Sequence, residues 1–292
     1  MKKVLITGSQ GQLGLKIKDN LKYKDDINFI FTDISELDIT IFSDVENFVK
    51  TNKIDVLINC AAYTSVDLAE EEKEKAFILN SYAPENLARL ARIYDFKLIH
   101  ISTDYVFDGH SNTPYSEEDK TNPMSIYGKS KLEGENMVLV QNSNSIIIRT
   151  SWLYSEYGNN FAKTVLKLAN EKDFLEVVYD QVGTPTYAGD LANALIEMSA
   201  LYCTELKWVP GIYNYSNLGV CSWYDFAVKL LKSSEINIKI FPLLSTKNST
   251  KAPRPNYSVL NKSKFNEVYE LDIPYWTDSV DKMLENYLNI DV

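Results

Sequence analysis

Val4-Leu5-Ile6-Thr7-Gly8-Ser9-Gln10-Gly11-Gln12-Leu13-Gly14 decides the fold of this chain. A short apolar run of strand character gives way to a turn with three glycines and then to an amphipathic run ending near Leu21. That is the pattern of a strand, a tight turn and a helix. The same rhythm repeats along the first half. Ile27 to Thr32, Ile54 to Ile58, Lys97 to Ile101 and Ser145 to Arg149 read as strands, and helical stretches stand between several of them, notably Ala69 to Tyr94 and the segment carrying Tyr127. Strands alternating with helices predict a parallel sheet covered on both faces, an α/β Rossmann-like doubly wound architecture.

Beyond Arg149 the alternation loosens. Helical patterns lie near Phe161 to Asn170, Gly189 to Tyr202, Ser222 to Lys232 and Trp276 to Leu288, and 244–258 reads as a loop. We expect a dinucleotide-binding domain over residues 1–172, with 210–218 returning a strand to it. The remainder, 173–292, is expected to form mainly a smaller, partly interleaved C-terminal substrate domain.

Bulk properties narrow the functional classes. The chain has 292 residues, 45% of them hydrophobic, and a formal net charge of −10. Such a balance supports a large core and disfavours binding to a nucleic acid polymer. Arg89 and Arg92 belong to a helical pattern and are expected in solvent, whereas Arg149 and Arg254 lie near chain breaks and are the better candidates for holding phosphate. The scattered Cys60, Cys203 and Cys221 read as free thiols in a reducing compartment, and His100 and His110 are too isolated for a histidine-based metal centre. No signal peptide or membrane-length apolar run stands out, so a cytoplasmic protein without membrane partners is expected.

Three constellations carry chemistry. Gly8-x-x-Gly11-x-x-Gly14 sits where a dinucleotide pyrophosphate would meet a helix N-terminus, and Asp33 follows at the end of the second strand, about 20 residues on, where a carboxylate grips ribose hydroxyls. Its charge would repel a 2′-phosphate, which favours NADH over NADPH. Ser102-Thr103-Asp104 closes the fourth strand at the edge where parallel sheets bind ligands. One of its hydroxyls can face a substrate carbonyl, or merely cap a turn. Tyr127 and Lys131 stand one helical turn apart on one face. A lysine cation there is expected to lower the phenol pKa and make it a general acid for a carbonyl oxygen. Glu117-Glu118-Asp119 and Glu70-Glu71-Glu72 read as solvated acidic runs, and Trp152 as either core or a platform for a flat ligand.

Together these stretches resemble the extended short-chain dehydrogenase/reductase superfamily and, within it, the dTDP-4-dehydrorhamnose reductase family. The closer resemblance rests on residues 59–67 (Asn-Cys-Ala-Ala-Tyr-Thr-Ser-Val-Asp), 102–109 (Ser-Thr-Asp-Tyr-Val-Phe-Asp-Gly), 149–154 (Arg-Thr-Ser-Trp-Leu-Tyr), 180–186 (Asp-Gln-Val-Gly-Thr-Pro-Thr) and 252–255 (Ala-Pro-Arg-Pro). It implies hydride transfer from NADH or NADPH to the 4-keto group of dTDP-4-dehydro-L-rhamnose, a nucleotide sugar. Thr103, Tyr127 and Lys131 would be catalytic. Gly8, Gln10, Gly11, Gln12, Leu13, Asp33, Ile34, Asp38, Ile39, Cys60, Ala61, Ala62, Tyr63 and Ser102 would join Tyr127 and Lys131 around the cofactor. Val66, Asp67, Thr103, Asp104, Tyr105, Trp152 and Arg254 would surround the substrate, with Arg254 on its phosphates. Some members form a magnesium-dependent homodimer through glutamates; Leu15 and Asp190 stand in those contexts here, which puts that metal and that dimer in doubt. Other sugar-nucleotide 4-ketoreductases and epimerases share the pattern, and so does a non-catalytic regulatory subunit of methionine adenosyltransferase. Tyr105, where dehydratases carry a glutamate, disfavours dehydration.

Overall fold

The computed structural model describes residues 1–21, 27–247 and 250–290. Its centre is a six-stranded parallel sheet. The strands are β1 (Lys2–Thr7), β2 (Ile27–Thr32), β3 (Val56–Asn59), β4 (Lys97–Thr103), β5 (Ile146–Thr150) and β6 (Gly211–Asn214), in the order β6-β5-β4-β3-β1-β2. Helices cover both faces, so the strands read as unbroken apolar runs. Alternation then sorts them. Val4, Ile6, Val56, Ile58, Ile99, Ile146 and Ile148 join one core cluster, while Leu5, Leu57, Leu98 and Ile147 join another on the opposite face.

Helices Gln12–Asn20 and Ala188–Glu205 cover the first face, and Phe42–Asn52, Ala83–Tyr94 and Ile126–Gln141 the second. The chain runs from β1 out to β2 and then crosses back to β3 on the other side of β1. This reversal opens a crevice beyond Thr7 and Asn59, at the carboxyl ends of β1 and β3, where doubly wound sheets bind ligands.

A third cluster lies off the sheet. Helices Phe161–Glu171, Trp223–Ser233 and Trp276–Ile290 pack around Tyr154, Phe226 and Met283. The boundary expected at residue 172 does not follow this packing. Helix Phe161–Glu171 belongs to the off-sheet cluster, whereas Ala188–Glu205 returns to pack on Gln12–Asn20. Besides β6, which lies within the expected return at 210–218, helix Ala188–Glu205 thus also brings the chain back to the sheet.

Three local expectations are revised. The stretch 69–94 is broken only at 70–72, after Val66–Ala69; from Lys73 it runs on as one helix whose pieces are Lys73–Phe77, a π-helical turn Ile78–Tyr82 and Ala83–Tyr94. Pro84, which has no N–H to donate, stands at the start of the last piece. A parallel pair, Phe174–Val178 with Lys239–Leu243, occupies two stretches to which the sequence reading assigned no element. Within the loop expected over 244–258, Ser245–Lys247 form a 3₁₀ turn, and residues 248 and 249 lie outside the described residues. No helix among the described residues is long and apolar enough to cross a membrane.

Candidate active site

A cleft of about 1130 Å³ opens at the switch point and extends to the off-sheet unit. Its walls include every residue singled out from the sequence as a catalytic or cofactor contact, together with Val66, Asp104, Tyr105 and Trp152. Asp67 and Arg254 are not part of the wall; they pair with each other at 2.8 Å, and Asp67 also accepts the Ala252 N–H. Arg254, expected on nucleotide phosphates, ties the 252–254 segment to helix Val66–Ala69.

At the β1 end, Gly8 has φ +66, and a Cβ there would lie 2.6 Å from the Ala61 nitrogen. Only glycine lets this turn approach the loop after β3 so closely. Gly14 is equally constrained, since a Cβ would come within 2.5 Å of Ser9 Cα. Helix Gln12–Asn20 begins with no side-chain cap on its first turn, which leaves N–H groups for an anion. The donor set and the bare backbone therefore fit a dinucleotide pyrophosphate. Gln12 accepts hydrogen bonds from Ser155 (3.1 Å) and Asn160 (2.9 Å), two partners the sequence did not reveal. The Asp33 carboxylate accepts the N–H groups of Gln10 and Ile34, both at 2.8 Å, and so shapes the rim of the glycine turn. Asp38 similarly accepts from the Thr40 backbone and hydroxyl.

At the β4 end, Ser102 and Thr103 face opposite ways. The Ser102 hydroxyl donates to Glu135 at 2.5 Å, and Glu135 is gripped by the Arg149 guanidinium at 3.0 and 2.7 Å. Arg149 is 2% exposed and stands 5.1 Å from the Phe107 ring centre. It is therefore a buried structural cation and not the phosphate ligand expected of it. Thr103 both lines the cleft and caps the turn Asp104–Val106, accepting the Tyr105 N–H at 3.2 Å and donating to Asp104 Oδ1 at 3.0 Å.

Helix Ile126–Gln141 presents Tyr127 and Lys131, and Ser125 caps its start through the Gly128 N–H. Burial raises the Tyr127 phenol to about 12, opposed in part by the Thr103 hydroxyl. The expected lowering by Lys131 does not appear. The Lys131 ammonium turns to the Ile101 carbonyl at 2.6 Å and to His100 at 3.4 Å, while burial pulls its pKa down to about 8. His100, pinned by Asn59 at 3.0 Å, is held well below its ordinary value by burial and by the Lys131 charge. Burial also pushes the Cys60 thiol up to about 12, so it is no thiolate nucleophile at neutral pH.

Other walls rest on residues that pattern reading passed over. Buried Asn80 holds the Tyr63 backbone from both sides and donates to Ser130. The Tyr63 hydroxyl donates to Glu72, Glu70 accepts the Ile126 N–H, and Glu117 accepts the Asn214 N–H, so both acidic runs contain structural members. Trp152, at φ +49, stacks on Trp223 with ring centres 3.5 Å apart and fills the space before Gly183. Asp190 is buried on Asn217, Ser279 and Lys282. No group of three or more metal-binding His, Cys, Asp or Glu side chains occurs among the described residues.

The switch-point crevice, the glycine turn and a Thr/Tyr/Lys set in one cleft define a dinucleotide-binding protein of the short-chain dehydrogenase/reductase class. Within that class the chain belongs to the family described as RmlD substrate binding domain, whose model matches residues 1–289. It is 39% identical to a dTDP-4-dehydrorhamnose reductase of Aggregatibacter actinomycetemcomitans, over 94% of this chain and 96% of that one. The crystal structure of a dTDP-4-dehydrorhamnose reductase from Clostridium acetobutylicum superimposes with a TM-score of 0.91 at 41% identity, covering 98% and 99% of the two chains. That of the Bacillus anthracis enzyme in complex with NADP gives a TM-score of 0.91 at 36% identity, covering 98% and 100%.

Proposed function

We propose that this protein reduces the 4-keto group of dTDP-4-dehydro-L-rhamnose to give dTDP-L-rhamnose, in the cytoplasm, with NADH or NADPH as reductant. The observation that carries this reading is the meeting of Thr103, Tyr127 and Lys131 with the glycine turn in one cleft, in a chain of this family. Gly8 and Gln10 to Leu13 would hold the pyrophosphate, and Asp33, Ile34, Asp38 and Ile39 the adenosine. Cys60 to Tyr63 and Ser102 would line the path to the nicotinamide, and Lys131 would reach its ribose. When bound, the reduced nicotinamide supplies the hydride.

The protein's own part is to place the carbonyl and deliver a proton. A phenol held near 12 stays protonated at neutral pH, and although it is a weaker acid than one tuned near pH 7, it can still give its proton to an alkoxide oxygen, which is more basic than a phenolate. Thr103 faces the same position from the end of β4. Val66, Asp104, Tyr105 and Trp152 would surround the sugar, with the off-sheet unit behind Trp152 and Trp223 forming the substrate side of the cleft. Asp33 at the rim favours NADH, and the NADP complex of the Bacillus anthracis relative favours a site that also accepts the phosphorylated form.

The test is turnover. The protein is mixed with dTDP-4-dehydro-L-rhamnose and each reduced nicotinamide, and loss of reduced-nicotinamide absorbance is followed with isolation of the sugar product. Consumption of cofactor with formation of dTDP-L-rhamnose is expected; no loss with either cofactor rejects the proposal.

A further inference from the structure

Hydrogen-bond counting at the end of β4 exposes a conflict. A threonine hydroxyl has one proton and two lone pairs. At Thr103 the proton goes to Asp104 Oδ1 at 3.0 Å, and one lone pair takes the Tyr105 N–H at 3.2 Å. What remains toward Tyr127 and the cleft is a lone pair. In this arrangement Thr103 can accept from a ligand but cannot donate to a carbonyl oxygen, the act expected of it.

Asp104 itself is 2% exposed; its second oxygen, Oδ2, makes no well-formed hydrogen bond among the described residues, and the nearby Ser258 hydroxyl offsets the effect of burial only in part. No lysine or arginine among the described residues pairs with Asp104. The titratable groups facing it are Tyr127 from helix Ile126–Gln141 and Tyr105 from its own turn, and Arg254 beyond Tyr105 is already paired with Asp67. A buried carboxylate met only by neutral hydroxyls and backbone groups, with no counter-ion, is a costly anion. It is cheaper as the neutral acid, in which case the acid O–H donates to Thr103 and frees the Thr103 proton for the cleft.

We propose that Asp104, by holding or releasing a proton, sets the direction of the Thr103 hydroxyl, and that Thr103 donates to a substrate carbonyl only while Asp104 is protonated. Asp104 is thus a positioning residue acting through Thr103. Burial raises its carboxyl to about 6, within reach of neutral pH. The inference rests on the reductase reading for its consequence in turnover, but the protonation itself is a property of the protein alone.

Two measurements test it. The first is the pH dependence of kcat for the wild type and Asp104→Asn, whose amide can present an N–H to Thr103 at every pH. Wild-type kcat is expected to fall about tenfold per pH unit above the Asp104 pKa. The variant should lack that limb while retaining the KM for reduced nicotinamide. A variant that keeps the limb overturns the inference. The second is infrared difference spectroscopy of the unliganded wild type against pH, with Asp104→Asn identifying the signal and carbon-13 carboxyl resonances as a check should the variant fold poorly. A protonated-carboxyl band lost near pH 6 is expected, and titration of Asp104 in the ordinary carboxylate range overturns the inference. If no keto sugar is turned over, the reductase reading fails, while the spectroscopic titration still decides the state of Asp104.

Discussion

At the scale of single residues, the chemistry turns on which protons are held where. Tyr127 is a buried phenol with a raised pKa, and Thr103 is the group that moderates it. Tyr127→Phe removes the proton donor and little else. Turnover should fall by about 10²- to 10⁴-fold, with cofactor affinity measured by fluorescence titration nearly unchanged. Asp104 yields a stability prediction whose sign follows from linkage. Its carboxyl rises from 3.8 in the unfolded chain to about 6 when folded. Between those values the native state binds the proton more tightly, so its contribution to stability falls as pH rises and becomes a fixed penalty above about pH 6. Asp104→Asn should therefore be more stable than wild type at pH 7, by on the order of 2 kcal/mol, and the advantage should vanish below about pH 4. Urea denaturation across that pH range measures it.

Elements position these residues through contacts that tolerate little change. Helix Ile126–Gln141 crosses the π-helical turn Ile78–Tyr82 at Gly134, where a Cβ would lie 2.0 Å from the Asn80 carbonyl oxygen. Asn80 in turn fixes the Tyr63 backbone and Ser130, on the helix that carries Tyr127 and Lys131. Gly134→Ala should force these elements apart, costing about 1–3 kcal/mol in denaturant unfolding and lowering kcat more than a surface glycine replacement does. The glycine turn, the Tyr-x-x-x-Lys spacing and most strands were legible from sequence because each is a local pattern, set by backbone freedom or by side-chain periodicity. The broken helix at 66–94 was not. Its apolar spacing is helical throughout, and within the π-helical turn Asn80 bonds Tyr63, a contact no local window contains.

The whole molecule is held together by buried polar links between the sheet unit and the off-sheet unit. Lys16, on helix Gln12–Asn20, reaches Glu156 at 2.5 Å, and the Tyr187 hydroxyl donates to the same carboxylate oxygen at 3.3 Å. Both members of the ion pair are nearly inaccessible, with side-chain exposures of 5% and 1%. Burial opposes the Lys16 charge, but Glu156 and Tyr187 outweigh it and raise its pKa. Lys16→Met leaves Glu156 as an unpaired buried anion and should destabilise the protein by about 3–5 kcal/mol; the double variant Lys16→Met/Glu156→Gln should recover much of that loss. Equilibrium unfolding of the two variants separates the cost of a stranded charge from the worth of the pair. Because Gln12 of the same helix is bonded to Ser155 and Asn160, this junction also fixes the glycine turn against the far wall of the cleft.

The sequence by itself determined the strand-turn-helix start, the parallel sheet and the catalytic and cofactor residues expected in the cleft, because backbone conformation, periodicity and short spacings are written locally. Only the tertiary structure decided how their charges are spent. Arg149 is consumed by Glu135 and Arg254 by Asp67, the Lys131 ammonium turns to Ile101 and His100, and the Thr103 proton goes to Asp104. Among these, only the bond between Thr103 and Asp104 joins neighbours in sequence. The others join groups distant along the chain, and what each costs or contributes depends on how completely the fold removes it from water.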